Sequence, residues 1–148
     1  MNQVLVTPLR RIPTSGGDVY SGMKCVDQGF SGFGEAYFTT VQKHVVKGWK
    51  RHSRMTLNLV VPCGEIQISV LREADEKVQV YRLGPDHAET YLRLTIPPGF
   101  WVAFGGIGSH LNLMLNMANI PHDPTESDSK PLEAFPWTWI ESAIPASY

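Results

Sequence analysis

Lys50, His52, Arg54, Thr56 and Asn58 fall at every second position of the stretch KGWKRHSRMTLNLVVPCG, residues 47–64. Extended backbone turns alternate residues to opposite sides, so one strand here sets these groups, mostly basic or titratable, on one face. Met55, Leu57, Leu59, Val61 and Cys63 fall on the other. Imidazole exchanges protons near neutrality, and ammonium and guanidinium groups hold anions, so such a face suits an acidic ligand and proton transfer to it. The same alternation fits a plain surface strand with its polar side in water, or a strand lining the cavity of a small barrel.

The elements that must position these residues read as short strands. Alternating segments run over Gln3–Thr7, Glu35–Val41, Met55–Val61, Ile66–Leu71, Val78–Leu83, Tyr91–Ile96, Trp101–Phe104 and Leu111–Asn116. Between them stand turn residues, among them Ser15-Gly16-Gly17, Pro62-Cys63-Gly64, Gly84-Pro85-Asp86 and Pro97-Pro98-Gly99. No long window carries a 3.6-residue period, so little helix is expected and the fold class is all-β. Several strands split their faces alike. Tyr91, Arg93 and Thr95 oppose Leu92, Leu94 and Ile96; Asn112, Met114 and Asn116 oppose Leu111, Leu113 and Leu115; Glu35, Tyr37 and Thr39 share a face. A closed barrel gathers these polar faces around one interior; an open sandwich turns them to solvent.

With 148 residues the chain makes one domain, 1–148, able to bury a core without staples. Its first 30 residues form an N-terminal strand or arm, and the segment 121–148 is irregular, with Phe135, Trp137 and Trp139 tying it to the barrel or to a partner. A net charge of -1 supplies no field for nucleic acid. Two cysteines, Cys25 and Cys63, make no disulfide framework. The N-terminus lacks a signal-peptide core and no apolar run is long enough to span a membrane, so a cytoplasmic protein is expected.

Particular words then appear in order: FGEAYFTTV at 33–41, KGWKRH at 47–52, Pro62-x-Gly64, TIPPGFWVAF at 95–104, NIPHDPTE at 119–126 and PWTW at 136–139. From Phe33 to Trp139 the chain resembles the dTDP-4-dehydrorhamnose 3,5-epimerase family and its relatives acting on nucleotide-linked sugars. The resemblance implies a cupin-type jelly roll, a homodimer that shares N-terminal strands, and no cofactor. It also implies acid–base chemistry beside the ketone of a nucleotide-linked 4-keto-6-deoxy sugar, in deoxysugar or polysaccharide biosynthesis. Within the same substrate class it leaves open a 3,4-ketoisomerase and a sugar-nucleotide-binding cupin without activity.

Carried onto this chain, the resemblance gives Lys47 to the diphosphate and sets Lys50 where relatives hold a histidine base. Lys50 is then either a base of lowered pKa or a cation for phosphate or ketone, and His52 is the nearest imidazole. The family's tyrosine donor falls close to Pro121 or His122, and the acidic partner of its histidine near Asp128. His122 either lines the pocket or steadies its turn, and Tyr37 is a substitute donor. Trp49 and Trp101 either stack on the ligand or pack the core; Glu35, Arg54, Asn58, Arg93, Asn112 and Asn116 complete the candidate binding set. Asp123 and Glu126 read as turn or capping residues. No metal site is expected, because the pair that many cupins use reads Lys50-Arg51-His52 and Val102 occupies the place of a late histidine.

Overall fold

Residues 1–140 are described in a computed structural model. Twelve strands and three short 3-10 turns account for its regular structure. In chain order the strands are β1 (Leu5–Pro8), β2 (Arg11–Thr14), β3 (Gly17–Tyr20), β4 (Glu35–Thr40), β5 (Val46–His52), β6 (Leu57–Cys63), β7 (Ile66–Leu71), β8 (Val78–Leu83), β9 (Leu92–Ile96), β10 (Trp101–Gly106), β11 (Leu113–Ala118) and β12 (Ser127–Ser129). They form two five-stranded antiparallel sheets, β1-β9-β6-β11-β4 and β12-β5-β10-β7-β8, plus the small β2-β3 hairpin. This is the expected jelly roll with little helix. The expected strands at 66–71 and 78–83 form over those bounds, and the others shift by a few residues at their ends. No helix among the described residues is long and apolar enough to cross a membrane.

The stretch 47–64 corrects one expectation. It is not one strand but two, β5 and β6, which lie in different sheets. The chain bends at 53–56 because its backbone N–H groups find partners across the fold instead of along a ladder. Ser53 N donates to Glu126 O at 2.8 Å. Arg54 N and Met55 N donate to Glu126 Oε2 at 3.0 and 3.2 Å, and Thr56 N donates to Asn119 Oδ1 at 2.7 Å. The word 119–126 is thus the clamp that folds 47–64 in two.

Because of that bend, the apolar faces of β6 and β9 turn inward. Leu57, Leu59, Val61, Leu94 and Ile96 join Ile66, Ile68, Val70 and Met114 in the core between the sheets. The opposite, polar face is buried too, under residues 21–30. Asn58 Nδ2 donates to Gly29 O at 3.2 Å and Thr95 Oγ1 to Asn58 Oδ1 at 2.6 Å. Arg93, 0% exposed, donates to Gly22 O, Gln28 O and Asp27. Gly29, at φ +95, passes so close that a Cβ there would meet Thr95 Oγ1 at 2.6 Å. On the other sheet, Trp49, Leu71, Trp101 and Ala103 form a second apolar cluster on the outer face, covered by Leu132, Phe135 and Trp137. Residues 132–137 therefore pack against the barrel, while 141–148 of the expected C-terminal segment lie outside the described residues.

Candidate active site

Five strands surround a cavity of about 250 Å³ between the two sheets. Edge strand β4 contributes Tyr37 and Thr39; β5 contributes Lys47, Lys50 and His52; β6, β10 and β11 contribute Leu57, Leu59, Val102, Phe104, Met114 and Asn116. Lys47 and Lys50 share the inner face despite their odd spacing. The β5–β10 register pairs Val102 with Lys50 but Phe104 with Lys47, so a bulge takes up one residue of β5 at Gly48-Trp49. Period-two counting from His52 reaches Lys50 and stops at that bulge.

His52 is buried, and its Nδ1 hydrogen-bonds Glu126 Oε1 across 74 residues of sequence. Glu126 closes a 3-10 turn, Pro124–Glu126, whose cap is Asp123: Asp123 Oδ1 accepts from Thr125 N at 2.9 Å. Burial pushes the Glu126 carboxyl up, but hydrogen bonds from His52, Arg54 N and Met55 N outweigh it and hold the carboxyl below the usual glutamate range. An ionised carboxylate only accepts, so it fixes the proton on Nδ1 and leaves the Nε2 lone pair for the cavity. The arrangement fixes the imidazole and leaves one ring nitrogen free to accept a proton.

On the facing sheet, Tyr37 stands opposite Asn116 in the β4–β11 register, and Asn116 Nδ2 donates to the phenol oxygen at 2.9 Å. Among the described residues no carboxylate lies within ion-pair distance of Lys47 or Lys50. Leu57, Leu59, Val102 and Met114 supply an apolar wall. The cavity gathers an imidazole, a phenol and two lysine side chains against an apolar wall, a set suited to removing a proton from carbon and holding the resulting oxyanion.

Of the residues selected from sequence, the structure brings together Tyr37, Lys47, Lys50, His52 and Asn116. The others stand elsewhere. Asn58 and Arg93 anchor the N-terminal segment. Asn112 holds the β6–β7 turn, with Oδ1 accepting from Glu65 N at 2.9 Å. Arg54 reaches Asp123 on the surface, and Glu35 accepts from the backbone N–H of the exposed His122. Trp49 and Trp101 belong to the outer apolar cluster, with indole N–H groups on Leu132 O and Glu73. Asp128, expected near the histidine, pairs with Arg51 at 2.9 Å, and Glu126 takes its place. Glu126 escaped sequence reading because it looks like a turn residue; its one signal was its position at the end of the 119–126 word.

A larger depression, about 900 Å³, lies where the β4–β5, β6–β7 and β10–β11 connections meet. It contains none of the acid–base groups just described, so the smaller cavity is the candidate site.

No family model matches the chain, and no curated protein matches it in sequence. Among solved structures, a dTDP sugar isomerase from Desulfovibrio desulfuricans G20 is 35% identical, covers 92% of this chain and 90% of its own, and superposes with a TM-score of 0.84. A sugar 3,4-ketoisomerase from Thermoanaerobacterium thermosaccharolyticum, in complex with TDP, is 18% identical over 84% of this chain and 86% of its own, with a TM-score of 0.71. A dTDP-6-deoxy-D-glucose-3,5-epimerase from Legionella pneumophila, in complex with dTDP-4-keto-L-rhamnose, is 16% identical over 85% and 71%, with a TM-score of 0.72. The last two share the fold.

Proposed function

The chain belongs to the cupin family of dTDP-sugar epimerases and isomerases, and from that membership we propose that it is an isomerase of a nucleoside-diphosphate-linked 4-keto-6-deoxy sugar. The observation that carries the proposal is the His52–Glu126 pair opening onto a cavity that also holds Lys50 and, on the facing sheet, Tyr37. A cavity of about 250 Å³ admits a hexose ring but not a whole nucleotide sugar. The nucleoside diphosphate stays at the mouth, where the exposed Lys47 meets it.

The 4-ketone acidifies the C–H bonds beside it. His52 Nε2 takes one of those protons, and the bonding pair moves into the carbonyl to give an enolate. The Lys50 ammonium stabilises the negative oxygen beside the apolar wall of Leu57, Leu59, Val102 and Met114. Tyr37 returns a proton to carbon from the opposite wall, which inverts the centre. This assigns Lys50 the role of cation, with His52 as base.

A second reading is a ketone shift from C4 to C3. It begins with loss of the C3 proton to give an enediolate; the 3-hydroxyl proton passes to the former carbonyl oxygen at C4, and the proton held by the base returns to C4, leaving a ketone at C3 and a hydroxyl at C4. Among the described residues the cavity holds one imidazole, and this favours the ketone shift, because one base on one wall can carry the proton between neighbouring carbons.

Incubation with a dTDP-linked 4-keto-6-deoxy sugar in D₂O, followed by NMR, tests both. Deuterium at C3 or C5 that disappears in His52→Asn supports epimerisation, and a carbonyl at C3 selects the ketone shift. Binding without exchange or a new product overturns the enzyme reading and leaves a sugar-nucleotide-binding cupin. We also propose that the protein works as a homodimer whose N-terminal arm lies at the interface. The β2-β3 hairpin supports this, because it is exposed along its whole length and two strands alone are marginal in water.

A further inference from the structure

We propose that Asn116 is a positioning residue that sets the hydrogen-bond polarity of Tyr37, so that the phenol accepts from the protein and keeps its own proton for the cavity. The inference rests on the reading of Tyr37 as proton donor and adds the residue that makes it one.

The backbone N–H of Asn58 lies 3.0 Å from Asn116 Oδ1. An N–H can only donate, so the Asn116 amide must turn its oxygen that way. The amide nitrogen then faces Tyr37, 2.9 Å from the phenol oxygen. An amide NH₂ cannot accept, so Tyr37 accepts there and its O–H is left to point elsewhere. Flipping the amide sets a donor against the Asn58 N–H and leaves that buried group unpaired. Asn116 is 2% exposed, so water does not rescue the flipped state.

Strand pairing builds this lock. The register aligns Asn116 with Tyr37 on β4 and with Leu59 on β6, and the Asn116 side chain accepts from the N–H of Asn58, the neighbour of Leu59. Polarity thus passes from a backbone donor, through one amide, to the phenol. Each group has a single permitted role, and the proton at the end of the chain faces substrate.

The isosteric variant Asn116→Asp separates this role from packing. Its carboxylate still accepts from Asn58 N–H but also accepts from Tyr37, which reverses the phenol. Three measurements decide: kcat and KM for the deuterium-exchange reaction of Asn116→Asp, the same in a Tyr37→Phe background, and the infrared C–O stretch of Tyr37 isolated by subtracting the Tyr37→Phe spectrum. We expect kcat to fall about 10²-fold with KM within roughly threefold, the range of a lost proton donor. In the Tyr37→Phe background the same substitution has no further effect, and the C–O stretch moves from an accepting to a donating phenol. Equal losses in both backgrounds, or an unmoved stretch, overturn the Asn116 inference while leaving Tyr37 as donor. If Tyr37→Phe alone exchanges at the wild-type rate, the donor reading falls and this inference falls with it. Should Tyr37→Phe be too slow to measure, the infrared shift alone decides.

Discussion

Held below the usual glutamate range, the Glu126 carboxyl is ionised at neutral pH and presents only acceptors to His52. Glu126→Gln keeps the shape but offers an NH₂ to Nδ1, which moves the imidazole proton to Nε2 and removes the base from the cavity. We expect kcat to fall about 10²–10⁴-fold with little change in KM, measured by steady-state kinetics. The same carboxyl sets an acid limit on stability. Its folded pKa lies below its unfolded one, so as pH falls the unfolded chain takes up the proton first and the equilibrium moves toward unfolding. The stabilisation is present above the ordinary glutamate pKa and lost as pH drops through the depressed folded value. Denaturant midpoints followed from pH 7 downward should show this loss, and the slope should be shallower in Glu126→Gln. His52, Lys50 and Tyr37 were legible from sequence because their residue types announce their chemistry. Glu126 was not, because a glutamate after Pro-Thr looks the same whether it caps a turn or orients a histidine.

At the scale of elements, two segments beside the main strands hold the barrel in shape. Residues 21–30 cover the outer face of β9 and β6 through Arg93, and the Asp27 carboxyl is held below its usual range, chiefly by the Lys24 N–H and in addition by Arg93. Arg93→Ala removes a buried charge that makes three hydrogen bonds. It should cost about 3 kcal/mol by denaturation, and trypsin should cleave faster at Lys24. The second segment, 119–137, folds the 47–64 stretch at its bend and covers the Trp49–Trp101 cluster. Strand positions were readable because turn residues bracket each apolar alternation. The break between β5 and β6 was not, because the alternation of Lys50 to Asn58 runs through it without interruption.

For the whole molecule, the outer face of edge strand β4 is left uncovered. Phe38 is 63% exposed there and stands beside Leu115 of β11, on the side of the sheet away from the cavity. If the homodimer uses this face and the adjoining arm, sedimentation at micromolar concentration should give twice the chain mass, and Phe38→Asp should shift it toward monomer without changing the fold by circular dichroism. A wild-type monomer would count against the dimer.

The sequence by itself determined the all-β class, the turn positions, the family words and the residue types that carry the chemistry. Those are local properties: alternation, glycine and proline placement, and side-chain reactivity. Only the tertiary structure decided which face of each strand lines the cavity. Alternation defines two faces but cannot say which is inside when both are buried, and here residues 21–30 bury the polar face of β6 and β9. The opening stretch therefore divides. Lys50 and His52 reach the cavity on β5, whereas Asn58 lies on the other side of β6. The bulge that brings Lys47 into line and the carboxylate that orients His52 depend on pairings with β10 and with the 119–126 segment, contacts that no local pattern encodes.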